Sequence, residues 1–159
     1  AGLKTPEDEA LPRGSHLPVS VDLPLGVGIP VEYIPDQGLR LKLYRRLADM
    51  ESETELEALN EEFLDRFGAL PDMVRNLFFQ IRVKQRAQQA GFVSVALEGE
   101  QIVLRYPPLP EGMNERSLAY INREVRAGRN AYWMPAREGW QERLLETLSA
   151  IMQACQPSC

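Results

Sequence analysis

The stretch from Ser52 to Pro71 constrains this chain more than any other. Ser52 and Glu55 form an S-x-x-E capping box, in which a hydroxyl and a carboxylate satisfy the free N–H groups of a helix start. Leu56, Leu59, Phe63 and Phe67 then recur at intervals of three and four, and Gly68 supplies a C-cap. Pro71 suits the first turn of a further helix, which runs through Val74, Leu77, Phe78 and Ile81 until Gly91 stops it. Upstream, Asp36 is placed to cap a helix over about 37 to 50, in which Leu39, Leu43 and Leu47 make one apolar stripe and Ala48 lies near its end. Links of a few residues leave these three helices to pack side by side, the second and third as antiparallel neighbours.

The remaining segments change period. VSVDL at 19 to 23 alternates as a half-buried strand does, and Pro24, Gly26, Gly28 and Pro30 prevent its extension as a regular ladder. FVSVALEGEQIVLRY at 92 to 106, with Gly99 and Glu100 at its centre, reads as a β-hairpin ended by Pro107, Pro108 and Pro110. Asn114 is predicted to cap a fourth helix through Leu118, Ile121 and Val125 to Gly128. AYWMP at 131 to 135 reads as a short strand, and Trp140, Leu144, Leu148 and Ile151 as a last amphipathic helix. The expected class is α+β, with helices packed against a small mixed sheet containing a β-hairpin. Trp133 and Trp140, the largest apolar side chains, are expected in the core. Residues 1–17 mix prolines with Glu7, Asp8 and Glu9 and read as a linker tail, leaving 18–159 as one domain. The chain opens on Ala1 rather than Met, and LPRGSH resembles an expression-linker remnant, so a piece excised from something longer is expected.

Charge and motif content narrow the function. Twenty-three acidic residues against eighteen Lys and Arg give a net charge of −5, which repels a phosphate backbone unless positive charge is segregated. No apolar stretch approaches a membrane span and no signal peptide h-region is visible, so a soluble cytoplasmic protein without a membrane partner is expected. Cys155 and Cys159 stand at the chain end and His16, the one histidine, stands in the tail. Neither a metal centre nor a His-based triad is expected from them. LPLGVGIP at 23 to 30 is hemmed by prolines, so no phosphate-cradling helix start and no cofactor are expected.

Two helix faces remain as candidate sites. At 100° per residue, Glu55, Ala58, Glu62 and Asp65 fall opposite the apolar stripe of the second helix and form an acidic strip. Asp65, in the last turn, faces the negative end of the helix dipole, which costs on the order of 0.3–1 kcal/mol unless a cation answers it. That cation can sit on a partner, or the strip can be a solvated face or pair with Arg66 or Arg86 inside the chain. No nucleophile or metal ligand converges on these carboxylates, so catalytic residues are not assigned and no enzyme activity is expected. Arg75, Phe79, Arg82 and Arg86 on the third helix form a basic strip that could contact nucleic acid or bridge to the acidic helix beside it.

One family carries this order of motifs. VDLPLGVGIPVEYIPDQGLRLKLYRRLA, SETELEALNEEFLDRFGALPDMVRNLF and IRVKQRAQQAGF, above all EEFLDRFGALPD, resemble the C-terminal (TRCF) domain of the bacterial transcription-repair coupling factor (Mfd) family. The close resemblance runs from Val21 to Gly91, and beyond Val93 only the layout is similar. It implies a non-catalytic regulatory domain within an ATP-dependent DNA translocase that displaces stalled RNA polymerase and recruits UvrA for nucleotide excision repair. The domain is expected to dock on the UvrB-like N-terminal module of the same chain and to cover its UvrA-binding surface. DNA is then gripped by the parent motor, whose motifs this chain lacks. In the family the docking face includes acidic residues just before Arg-Phe-Gly, and the matching positions are Glu62 and Asp65, with Glu55 on the same strip.

Overall fold

A computed structural model describes residues 18–154, so the readings of the 1–17 tail, His16, Cys155 and Cys159 lie outside the described residues. The architecture is α+β, with four helices and a five-stranded mixed sheet among the described residues. The chain divides into two compact units, Leu23–Arg86 and the remainder, with the division falling near the end of the third helix.

The unit Leu23–Arg86 is built by helices α1 (Gln37–Asp49), α2 (Glu53–Phe67) and most of α3 (Asp72–Ala90). Asp36 caps α1, its Oδ1 accepting from the N–H groups of Gly38 and Leu39 at 2.9 and 3.3 Å. Ser52 Oγ accepts from Glu55 N–H at 3.2 Å to start α2, and the Glu55 carboxylate reaches back to the Glu51 N–H at 2.9 Å. Gly68 ends α2, its N–H donating to the Leu64 carbonyl. Leu43, Leu47, Leu56, Leu59, Phe63, Val74 and Phe78 are buried in one cluster, with Leu39, Phe67, Leu77 and Ile81 packed partly against it. Ala48, by contrast, is exposed. The proline-rich passage before α1 closes this core, with Ile29 and Ile34 inside it and the Tyr33 hydroxyl donating to the Gly68 carbonyl at 2.7 Å.

Helices α2 and α3 run antiparallel. Near the end of α3, Gln85 Nε2 donates to the Ser52 carbonyl and Arg86 to Glu53 at the start of α2, while Phe78 meets Phe63 further along. Helix α3 stops at Gly91 in a 6→1 and 5→2 pair of bonds, Phe92 N–H to Ala87 carbonyl and Gly91 N–H to Gln88 carbonyl. That motif needs a left-handed residue, and Gly91 supplies it with φ +92°.

The other unit holds the sheet, ordered β1-β2-β3-β5-β4. β1 (Ser20–Asp22) pairs parallel with β2 (Ser94–Glu98), and β2 turns through Gly99 and Glu100 into antiparallel β3 (Gln101–Arg105). β3 pairs with β5 (Ala131–Pro135), which carries β4 (Arg126–Ala127) on its outer side. Leu144, Leu148 and Ile151 of α4 (Trp140–Ala154) are fully buried, as are Val95, Ile102, Leu104 and Tyr132 of the sheet.

Two expectations are corrected. The helix predicted from Asn114 to Gly128 does not form; the chain is irregular to Val125 and then enters β4. Helical bonds are pre-empted at Asn122, whose Oδ1 takes the N–H groups of Glu124 and Val125, while the Arg116 N–H to the Arg129 carbonyl and the Tyr132 hydroxyl to the Ala119 carbonyl tie the stretch to the segment after it. Asn offers such local alternatives more readily than the apolar period of Leu118, Ile121 and Val125 can resist. The tryptophans are both half-buried rather than central. Alternation along β5 sends Tyr132 and Met134 to the core face and Trp133 to the opposite one.

The buried position of Phe63 gives a direct test. Phe63→Ala should lower unfolding free energy by about 3–5 kcal/mol, as expected for deleting a fully buried ring. Leu64→Ala, at a residue 47% exposed, should change it by about 0.5 kcal/mol or less. Urea denaturation of both variants measures the contrast, and equal losses would place Leu64 in the core as well.

Candidate functional site

The acidic strip of α2 does not behave as one surface. Ser52 and Glu55 satisfy backbone donors at the helix start, so Glu55, although exposed, serves the cap. Glu62 is only 31% exposed and lies between two arginines. Arg46 Nη2 and Nη1 donate to its Oε1 and Oε2 at 3.1 and 3.3 Å, and Arg66 Nη1 donates to Oε2 at 2.9 Å. The hydrogen bond from Arg46, followed by that from Arg66, holds the Glu62 carboxyl below the usual glutamate range. Arg66 was one of the intrachain partners open from sequence; Arg46, on another helix, was not visible there.

Asp65 is different. It is exposed in the last turn of α2, and its carboxylate has no ion-pair or hydrogen-bond partner among the described residues. Beside it, Leu64 presents an apolar side chain 47% exposed. The end of α2 therefore offers an unanswered negative charge next to an apolar contact. Leu64 adjoins Phe63 in sequence but falls off the Leu56, Leu59, Phe63 and Phe67 stripe, and that was the signal available for it.

The basic strip of α3 is internally occupied. Arg86 Nε and Nη2 donate to Glu53 at 2.6 and 2.9 Å, and Arg82 Nε lies 3.5 Å from the same carboxylate. Arg75 pairs with Asp72 and donates to the Leu70 carbonyl at 2.8 Å. These arginines staple α3 and its start to neighbouring groups. The hydrogen bond from Arg86, helped by the Arg86 and Arg82 charges, outweighs partial burial and holds the Glu53 carboxyl below its ordinary range.

Among the described residues no three His, Cys, Asp or Glu side chains gather as metal ligands do, and no helix is long and apolar enough to cross a membrane. In the sheet unit, a cleft of about 750 Å³ beside α4 holds Glu124, Arg143, Glu146 and Thr147. Glu124 is held loosely there, 4.0 Å from Arg137 and 3.9 Å from Arg143, and the cleft lining contains no Ser, Cys or His.

Glu53 supplies a pH test with a definite sign. Its pKa is depressed on folding, so the stabilisation is complete above the unfolded value near 4.3 and is lost as pH falls through the lower folded value. Glu53→Gln should cost roughly 1 kcal/mol at neutral pH, the upper end for a partly exposed pair, and the difference from the parent chain should close in acid. A difference independent of pH in denaturation curves would show that the ion pair contributes nothing.

Comparison with known proteins assigns the chain. The TRCF domain profile matches residues 23–115, reaching beyond Gly91. The transcription-repair-coupling factor of Escherichia coli K12 is 36% identical over 99 residues, covering 62% of this chain and 8% of that protein. The protein of the same name from Mycobacterium tuberculosis is 35% identical over 99 residues, with the same shares. The chain thus spans about a twelfth of these relatives' length. A crystal structure of the C-terminal domain of transcription-repair coupling factor superposes with a TM-score of 0.70 at 19% identity, covering 89% of this chain and 98% of that one. Its fold is the fold described above, and with more than half of its residues inside the profile match, this chain belongs to the TRCF domain family.

Proposed function

We propose that residues 18–159 form a non-catalytic regulatory domain of a transcription-repair coupling factor. It docks through the C-terminal end of α2 on the UvrB-like N-terminal module of the same protein and masks the surface that UvrA would bind. The observation that carries this reading is Asp65, an exposed carboxylate near the negative end of a helix with no ion-pair partner among the described residues, since Arg66 in the same turn is bonded to Glu62. An arginine of the partner module supplies the cation, and Leu64 gives the contact an apolar centre. Glu62 contributes through geometry: its two intrachain arginines neutralise it and fix the end of the face, so Asp65 is the principal charge presented. Engagement of RNA polymerase by the full-length translocase then acts on this domain indirectly, by opening the masked state. The translocase activity belongs to other parts of that protein.

The test is charge reversal in the full-length parent. Asp65→Lys should leave the isolated chain folded and melting no lower than the parent, because the carboxylate has no ion-pair or hydrogen-bond partner among the described residues and a cation suits this end of the helix dipole. It should also raise UvrA binding in the absence of polymerase by about tenfold or more, corresponding to one partly desolvated pair of about 1.5 kcal/mol. Glu62→Lys should do both, releasing UvrA binding and lowering the domain's own stability through its lost bridges to Arg46 and Arg66. Unaltered UvrA binding in Asp65→Lys overturns the assignment of this face.

A further inference from the structure

The sheet unit carries a basic recess that the docking role leaves unused. It lies at the β4 edge and the turn into β5, has a volume of about 450 Å³, and is lined by Arg105, Arg126, Arg129, Asn130 and Trp133 among others, with no acidic residue in its wall. That volume falls in the lower part of the range of roughly 300–1,000 Å³ for ligand clefts.

Its parts are pre-set by the strand register. Arg126 stands directly opposite Trp133 across the β4–β5 pair, and its guanidinium lies 4.5 Å from the indole centroid. Two residues on, Gly128 abuts the same ring so closely that a Cβ there would overlap it. Trp133 is thereby held in place, and its ring in turn supports the Arg126 plane. A cation resting on a ring uses none of its N–H donors, and Arg126 has no carboxylate or hydrogen-bond acceptor among the described residues. Arg129 is anchored by its Nε, which donates to the Asn114 carbonyl at 3.1 Å, and it too meets no carboxylate among them. Arg105, paired with Glu98, lines the same recess.

Arg126 and Arg129 share the lack of a carboxylate partner among the described residues with Arg40, Arg45, Arg116 and Arg123, but of these six only Arg126 and Arg129 line this recess. Arg46, Arg66, Arg75, Arg82, Arg86, Arg137 and Arg143 each lie within ion-pair reach of a carboxylate. In a protein of net charge −5, two adjacent arginines aimed at a concavity without acidic walls are charge segregated for an anion. Guanidinium forks match phosphate oxygens, and a guanidinium already stacked on an indole offers its outer plane to a base.

We propose that this recess binds single-stranded nucleic acid. Arg126 and Arg129 hold a phosphodiester, and an unpaired base rests against the Arg126–Trp133 stack. The site shares no residue with the docking face, so it stands or falls independently of the proposed masking of UvrA binding.

The experiment is a fluorescence-anisotropy titration of the full chain with a labelled oligothymidylate, at low and at physiological salt. Saturable, salt-sensitive binding is expected. In Arg126→Gln/Arg129→Gln it should weaken by about tenfold or more, with the log–log salt slope falling by about 1 for each arginine, while Arg75→Gln binds as the parent does. Should the double variant lose its cooperative melt, Arg129→Gln alone, at an exposed turn, should still lower the slope by about 1. Competition with inorganic phosphate, a nucleoside monophosphate and oligoglutamate separates the sources of negative charge. Displacement by unlabelled single strands far below the concentration of any of these supports the site. Absence of binding at low salt, equal loss in Arg75→Gln, or equal displacement by oligoglutamate or phosphate overturns it.

Discussion

The Leu23–Arg86 unit depends on one ring. Phe63 is fully buried and meets Phe67 and Phe78 edge-on, at centroid distances of 5.6 and 5.3 Å and interplanar angles of 85° and 76°. Tyr33 closes the group at 6.2 Å, with its hydroxyl bonded to the Gly68 carbonyl. Edge-to-face packing satisfies the ring quadrupoles and fixes direction as well as burial, which a cluster of aliphatic chains would not. Phe78 in α3 and Tyr33 in the passage before α1 are thereby held to α2. The short links at 50–52 and 68–71 leave these elements few other arrangements.

Around this hub, arginine provides polar reinforcement. Glu53 receives Arg86 and Arg82 at the start of α2, and Glu62 receives Arg46 and Arg66 near its end. Carboxylates near a helix start also favour the dipole, so Glu53 gains twice from its place. Near the other end the dipole disfavours carboxylates: Glu62 is offset by two guanidinium groups and Asp65 by none among the described residues. The asymmetry of one helix thus separates a structural acid from an acid available to a partner.

Much of the helical unit was legible in the sequence because its signals are local. The Asp36 and Ser52 caps, the apolar stripes of α1 to α3 and the stop at Gly91 each depend on residues a few positions apart. The hairpin at Gly99 and Glu100 was legible for the same reason. The predicted helix after Asn114 failed because Asn122 captures the N–H groups of Glu124 and Val125, and because contacts from 13 positions away, the Tyr132 hydroxyl on the Ala119 carbonyl and the Arg129 carbonyl on the Arg116 N–H, hold the stretch in an irregular path. Reading that stretch as helix to Gly128 also hid β4, and with it the pairing of Arg126 with Trp133 that shapes the basic recess.

The candidate site divides in the same way. Helical period put Glu55, Glu62 and Asp65 on one acidic strip and Arg75, Arg82 and Arg86 on one basic strip, since period is a property of the chain alone. Which of these charges remained available was decided by tertiary structure. Antiparallel packing brought Arg82 and Arg86 to Glu53, and the placement of α1 brought Arg46 to Glu62, across 16 positions of sequence. The sequence by itself determined where helices begin, which faces they bury and how charge is ordered along them. Only the folded arrangement determined which charges are paired, because an ion pair depends on a few ångströms between side chains whose separation no local signal encodes.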